Sequence, residues 1–184
     1  VPAPILDETN PPPTATPMYT VTGSVATPGP GITILVRGGA MDASGPTDPS
    51  TGIFSVNVTL NANATNDLRV VSLEGAIESA PAAVSVTHDD IAPAAPSAGA
   101  LSASSSTCVA GVPTGGNVAG SMGAVEARAT VRIDNVTGGR RATTSATDGG
   151  SFSVSIGTCR GDVIRIVAID AAANEGAATE ITAS

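Results

Sequence analysis

The chain has 184 residues, 41% hydrophobic and only 13% charged, which argues against disorder throughout and leaves room for one large or two small domains. Its net charge of −8 argues against nucleic acid as a partner, and the lack of tryptophan, with Tyr19 the single tyrosine, removes stacking platforms for bases or sugars. Every basic residue is an arginine, which excludes lysine chemistry: no Schiff base, no P-loop lysine, no Lys–Asn isopeptide cross-link.

Residues 1–18, VPAPILDETNPPPTATPM, are dense in proline and predict a stiff, extended lead segment rather than a folded domain. Within it Val1, Pro4, Ile5 and Leu6 form a short apolar patch suited to pairing with the sheet edge of a neighbouring subunit. No signal peptide and no membrane-spanning apolar run is present, so the chain beginning at Val1 reads as a processed, exported form.

From Tyr19 the pattern becomes alternation. YTVTGSV, ITILVR, GIFSVNVTL, DLRVVSL and AAVSVT are β-branched runs of strand length separated by Gly, Pro, Asn and Asp. The order then repeats about one hundred residues later, the length of one immunoglobulin-like domain. GSVATPGPGITILVRGG matches GSMGAVEARATVRIDNV, and TDPSTGIFSVNV matches ATDGGSFSVSI, pairing Asp48 with Asp148 and Phe54 with Phe152. NDLRVVSLEGAIE matches GDVIRIVAIDAAAN, pairing Arg69 with Arg165 and Glu74 with Asp170.

The expected organisation is therefore an all-β chain of two tandem immunoglobulin-like Greek-key sandwiches with a Pro-rich N-terminal extension. The lead covers 1–18, the first domain 19–88, a Pro-stiffened linker 89–97 and the second domain 98–184. Cys108 and Cys159, the only cysteines, predict one disulfide tying the leading stretch of domain 2 onto its sandwich.

The TGS…PG.TI.V strand pair, the TD..G.FSV.V hairpin, the D-x-A-x-N strand end and the D-D-x-A-P-x-x-P linker together resemble the tandem bacterial Ig-like repeats of surface adhesins and secreted multidomain proteins. The resemblance spans both domains but not the lead. It implies an extracellular, cell-surface placement and a role as spacer, stalk or adhesive module, with other protein subunits or surface proteins as partners. Some repeats of this family stiffen their linkers with calcium, which makes Asp89, Asp90, Glu74, Glu78 and Asp148 candidate ligands here.

By their own chemistry the same residues have plainer roles. Asp89 and Asp90 cap turns and solubilise the linker, Asp170 and Asn174 hold a hairpin, and His88 is a surface linker residue. His88-Asp89-Asp90 is not a catalytic triad: no G-x-S-x-G elbow accompanies it, so no enzyme is expected. Two functions remain. One is a non-catalytic structural or adhesive module; the alternative is a self-assembling subunit of an extracellular filament, a homopolymer in which the lead segment crosses to a neighbour. A third, weaker reading is an accessory domain of a secreted enzyme.

Overall fold

Alternation decides which side of each strand is buried. In Ile53–Thr59 the side chains of Phe54, Val56 and Val58 point inward while Ile53, Ser55, Asn57 and Thr59 face outward. Ile32–Arg37 repeats the pattern with Ile32, Ile34 and Val36. The computed structural model describes every residue, Val1–Ser184, and the chain divides into two units, Val1–Asp90 and Ile91–Ser184.

Unit 1 contains β1 (Pro4–Leu6), β2 (Met18–Val25), β3 (Ile32–Arg37), β4 (Ala43–Pro46), β5 (Ile53–Thr59), β6 (Ala64–Glu74), β7 (Ile77–Glu78) and β8 (Ala82–His88). One sheet has the order β1-β2-β5; the other has β4-β3-β6, with β7 and β8 both pairing to β6. All these pairs are antiparallel. The chain changes sheet between β2 and β3, β4 and β5, and β5 and β6, which is Greek-key connectivity. Val21, Phe54 and Val56 of one sheet meet Ile34, Leu68, Val70 and Val84 of the other in one core.

Unit 2 opens with a single 3₁₀ turn, Ala98–Ala100, and continues through β9 (Leu101–Ser105), β10 (Cys108–Val109), β11 (Val112–Pro113), β12 (Gly116–Gly120), β13 (Thr130–Asn135), β14 (Arg140–Ser145), β15 (Phe152–Ser155), β16 (Val163–Ile169) and β17 (Thr179–Thr182). Its sheets are β15-β12-β9 and β14-β13-β16-β17, three strands against four where unit 1, with the short extra β7, has three against five, and β10 and β11 form a separate small hairpin. Val118 and Phe152 meet Val131, Ile133, Ile164 and Ile166 in its core. The protein is thus all-β, built as two immunoglobulin-like sandwiches.

One contact recurs in both. Gly23 stands opposite Phe54 in the β2–β5 register, and Gly120 opposite Phe152 in β12–β15. A Cβ on Gly23 would lie 2.8 Å from Phe54 Cζ, and one on Gly120 2.7 Å from the Ala124 Cβ as well as against the Phe152 ring. Each glycine lets a phenylalanine ring lie over the neighbouring strand, in a core whose other side chains are small.

The lead segment departs from its expected isolation. Pro4, Ile5 and Leu6 pair with Val25, Ser24 and Gly23 of the same unit, and Pro4 is buried. The Ser72 hydroxyl donates to the Pro2 carbonyl. Farther along, Ser85 N–H donates to Thr9 O at 3.3 Å, and Thr14 N–H to Thr87 O at 3.0 Å, in a parallel bridge to β8. The lead is therefore an edge of the sandwich, with Pro4–Leu6 paired to one sheet and Thr14 bridged to the other before β2 begins at Met18. Proline did not detach it, because only one edge of each short stretch needs backbone donors.

The expected linker 89–97 is likewise docked. Asp89 N–H donates to Thr14 O and Asp90 N–H to Asn63 Oδ1, both within unit 1. Pro93 and Pro96 are buried in unit 2, where Thr179 Oγ1 donates to Pro96 O at 2.6 Å and Ser97 N–H to Ala124 O.

Candidate functional site

The one cluster that hinted at chemistry, His88-Asp89-Asp90, is structural. His88 is 2% exposed, not a surface linker residue, because it continues the inward phase of Val84 and Val86 along β8. Its Nδ1 accepts the Asn63 N–H at 3.0 Å, which places the ring proton of the neutral form on Nε2. Asn63 sits at φ 50°, and its own Oδ1 takes the Asp90 N–H. The three residues close the β5–β6 loop onto the end of β8.

Within unit 1 the candidate calcium ligands form two groups, Asp89 and Asp90 following β8 beside the start of β6, and Glu74 and Glu78 at the far end of β6. Glu78 is clamped by Arg37, with Nη2 to Oε1 at 2.6 Å and Nη1 to Oε2 at 3.1 Å. That bond from Arg37 holds the Glu78 carboxyl below its ordinary range. Asp148 accepts from Arg128 Nε at 2.6 Å in unit 2. Glu74 ends β6 opposite Ile77, and Asp90 is exposed with its N–H on Asn63. No group of three or more His, Cys, Asp or Glu side chains forms a metal-binding constellation.

Other carboxylates build turns. Asp48 Oδ1 accepts from Thr51 and Ser50 N–H, and those bonds push its carboxyl down. Asp170 Oδ1 accepts from Ala172 and Asn174 N–H while its Oδ2 accepts from Asn174 Nδ2, so the D-x-A-x-N segment is a self-bonded turn. Arg132 donates to both oxygens of Glu175 and draws that carboxyl down.

Cys108 and Cys159 are joined in a disulfide, with Cα atoms 5.8 Å apart. The bond fastens the β10–β11 hairpin to the loop between β15 and β16. Ala110 and Gly111, both at positive φ (52° and 77°), make its two-residue turn, and Val109 and Val112 face each other across it.

That hairpin lies at one pole of unit 2 with two further loops. Pro113 Cγ and Arg140 Nε both flank Gly157, within 2.9 and 3.2 Å of where its Cβ would stand. Asn135 Nδ2 donates to Gly157 O and to the buried Asp162. The pole exposes Val109 (67%), Val112 (58%) and Val136 (57%). Beside Val136 is an open cleft of about 460 Å³ lined by Asp134, Asn135, Gly139, Arg140 and Arg141. Arg141 is spent on Asp134 at 2.5 Å, while Arg140 reaches only Gly138 O and Arg160 is exposed. Sequence reading missed this surface because its parts lie on three loops that only the topology gathers.

No family model matches the chain, and no curated protein does. Among solved structures, it is similar to the BSP domain of a biofilm-associated protein (14% identity, TM-score 0.34), covering 99% of this chain but only 29% of that one. A two-domain fibronectin type III segment from chicken tenascin matches at 12% identity and TM-score 0.34, covering 97% and 95% of the two chains. A calcium-stabilised adhesin that helps an Antarctic bacterium bind ice matches at 20% identity and TM-score 0.45, covering 92% of this chain and 44% of that one.

Proposed function

We propose that this chain is a non-catalytic structural or adhesive module of an extracellular surface protein. The observation that carries the reading is the repetition itself: two sandwiches with the same strand order, each closing its own core. Duplicating a self-sufficient domain adds reach and surface, which suits a spacer, whereas chemistry calls for one preorganised site. The polar groups fit the same reading. His88, Asn66 and Asp162 are buried and bonded to loop backbones, and Glu78 and Glu175 are held by arginines. The disulfide supports an oxidising, extracytoplasmic setting.

The test is labelling of intact producing cells with an antibody raised against the 184-residue chain. Staining before lysis is expected. Staining that appears only after lysis overturns the surface placement.

A further inference from the structure

Charge is divided unequally between the units. Unit 1 holds two arginines against nine carboxylates, a net of −7, and unit 2 six against seven, a net of −1. The imbalance sharpens at two poles. In unit 2 the pole described above sets Arg140 and Arg160, neither bonded to a carboxylate, around the exposed Val109, Val112 and Val136. Its acidic members are already engaged: Asp134 accepts from Arg141, and Asp162 is buried against Asn135 and the Cys159 N–H.

In unit 1 the pole holding the β4–β5 loop and the β6–β7 hairpin has the opposite sign. Asp48 N–H donates to Ile53 O, Thr47 N–H to Ile32 O, and Ile32 pairs with Glu74, so Asp48 and Glu74 lie on one continuous stretch of surface. Neither is bonded to an arginine. Exposed Ile53 and Ile77 accompany them.

We propose that these two poles bind each other between copies of the chain, the basic valine-bearing pole of unit 2 seating on the acidic isoleucine-bearing pole of unit 1 of a second copy. The inference deepens the structural-module reading and rests on it. Both faces place apolar side chains among unpaired charges, and the charges are opposite in sign, which favours this pairing over like-to-like contact. Because different surfaces meet, the contact is heterologous and each copy keeps one free pole of each kind, so association continues into chains or closed rings. The disulfide-pinned hairpin brings Val109 and Val112 to the contact already ordered. The small apolar area makes each contact weak and salt-sensitive.

Sedimentation velocity of the full chain across a wide concentration range, at low and high salt, tests this. Average mass is expected to rise with concentration and to fall back in salt. The double variant Arg140→Glu/Arg160→Glu should weaken association about tenfold, and the neutral Glu74→Gln/Ile77→Ser should do the same from the other side without creating a charge complementary to the new glutamates. Mixing the two variants should give dimers and nothing larger, since one productive pair of poles survives. Thermal melts confirm that each variant folds. A chain monomeric throughout, association unchanged in either variant, or a mixture that stays monomeric each overturns the proposal. Binding of the monomeric chain to anionic lipid vesicles through Arg140 and Arg160 also overturns it, by naming a different occupant. In all those cases surface labelling of cells still decides the module reading separately.

Discussion

Replacing both cysteines, Cys108→Ser with Cys159→Ser, removes a cross-link between residues 51 apart in sequence. On the chain-entropy account, releasing a loop of that length lowers stability by about 4 kcal/mol, because the unfolded chain regains the freedom the bond denied it. The folded state changes less. Thr114 N–H still donates to Thr107 O at 3.2 Å and Gly115 N–H to Ser106 Oγ at 2.9 Å, so the base of the β10–β11 hairpin stays in place. Its tip has no such support, since Val109 and Val112 are exposed. For a domain of this size the loss lowers the unit 2 melting temperature by roughly 20 °C. Calorimetry should show that transition moving while the unit 1 transition stays, because the bond lies wholly within unit 2. Hydrogen exchange should speed up at Val109, Gly111 and Val112 ahead of β12. A shift below about 1 kcal/mol, or equal movement of both transitions, refutes the reasoning.

Gly23→Ala should destabilise unit 1 by about 1–3 kcal/mol, since the new methyl group meets both the Ile5 carbonyl and the Phe54 ring; urea unfolding reads this, and an unchanged midpoint would remove β1 from the sandwich. His88→Ala should lower unit 1 stability by about 2–4 kcal/mol through the vacated core volume and the orphaned Asn63 N–H, whereas Asp90→Ala should stay within about 0.5 kcal/mol. Equal effects would return His88 to the surface. Acid should destabilise both units through Glu78 and Glu175. Their folded values are depressed below the ordinary 4.5 by Arg37 and Arg132, so the stability they add is present above that value and lost as pH falls through the folded one. Melting across this range should flatten for unit 1 in Glu78→Gln and for unit 2 in Glu175→Gln; unaltered slopes would deny the pairs any role.

How much of this was legible depended on side-chain type. The runs ITILVR and GIFSVNVTL became β3 and β5 because β-branched residues alternate with polar ones. Strands such as ASGP, LSASS and RRATTS carry almost no such signal and exist through pairing with stronger neighbours. The lead was hidden for a related reason: its prolines describe the backbone correctly but say nothing of an edge elsewhere in the chain that accepts an extended segment. His88 was legible and overlooked. It stands two residues beyond Val86 and four beyond Val84, in the buried phase of the strand, where residue type misled and period did not. Two of the carboxylates named as candidate ligands have arginine partners that the sequence does not reveal, because those partners are distant along the chain, Arg37 for Glu78 and Arg128 for Asp148.

The two units also solve one problem differently. Each must fasten the loop that leads into its central strand, β6 or β16. In unit 1 Asn66 does so from both ends of its amide: Oδ1 accepts the Asn61 N–H at 2.7 Å, and Nδ2 donates to Ala64 O at 3.0 Å and to Val86 O at 3.4 Å. The equivalent residue in unit 2 is Asp162, which when ionised can only accept. It takes the Cys159 N–H at 2.8 Å and Asn135 Nδ2 at 2.7 Å, but it has nothing to offer a carbonyl. The missing tie is made covalently three residues earlier, where Cys159 bonds to Cys108. Asp162→Asn should therefore be tolerated best where the disulfide is intact, and Asn66→Asp should harm unit 1 most, because no second fastening backs it.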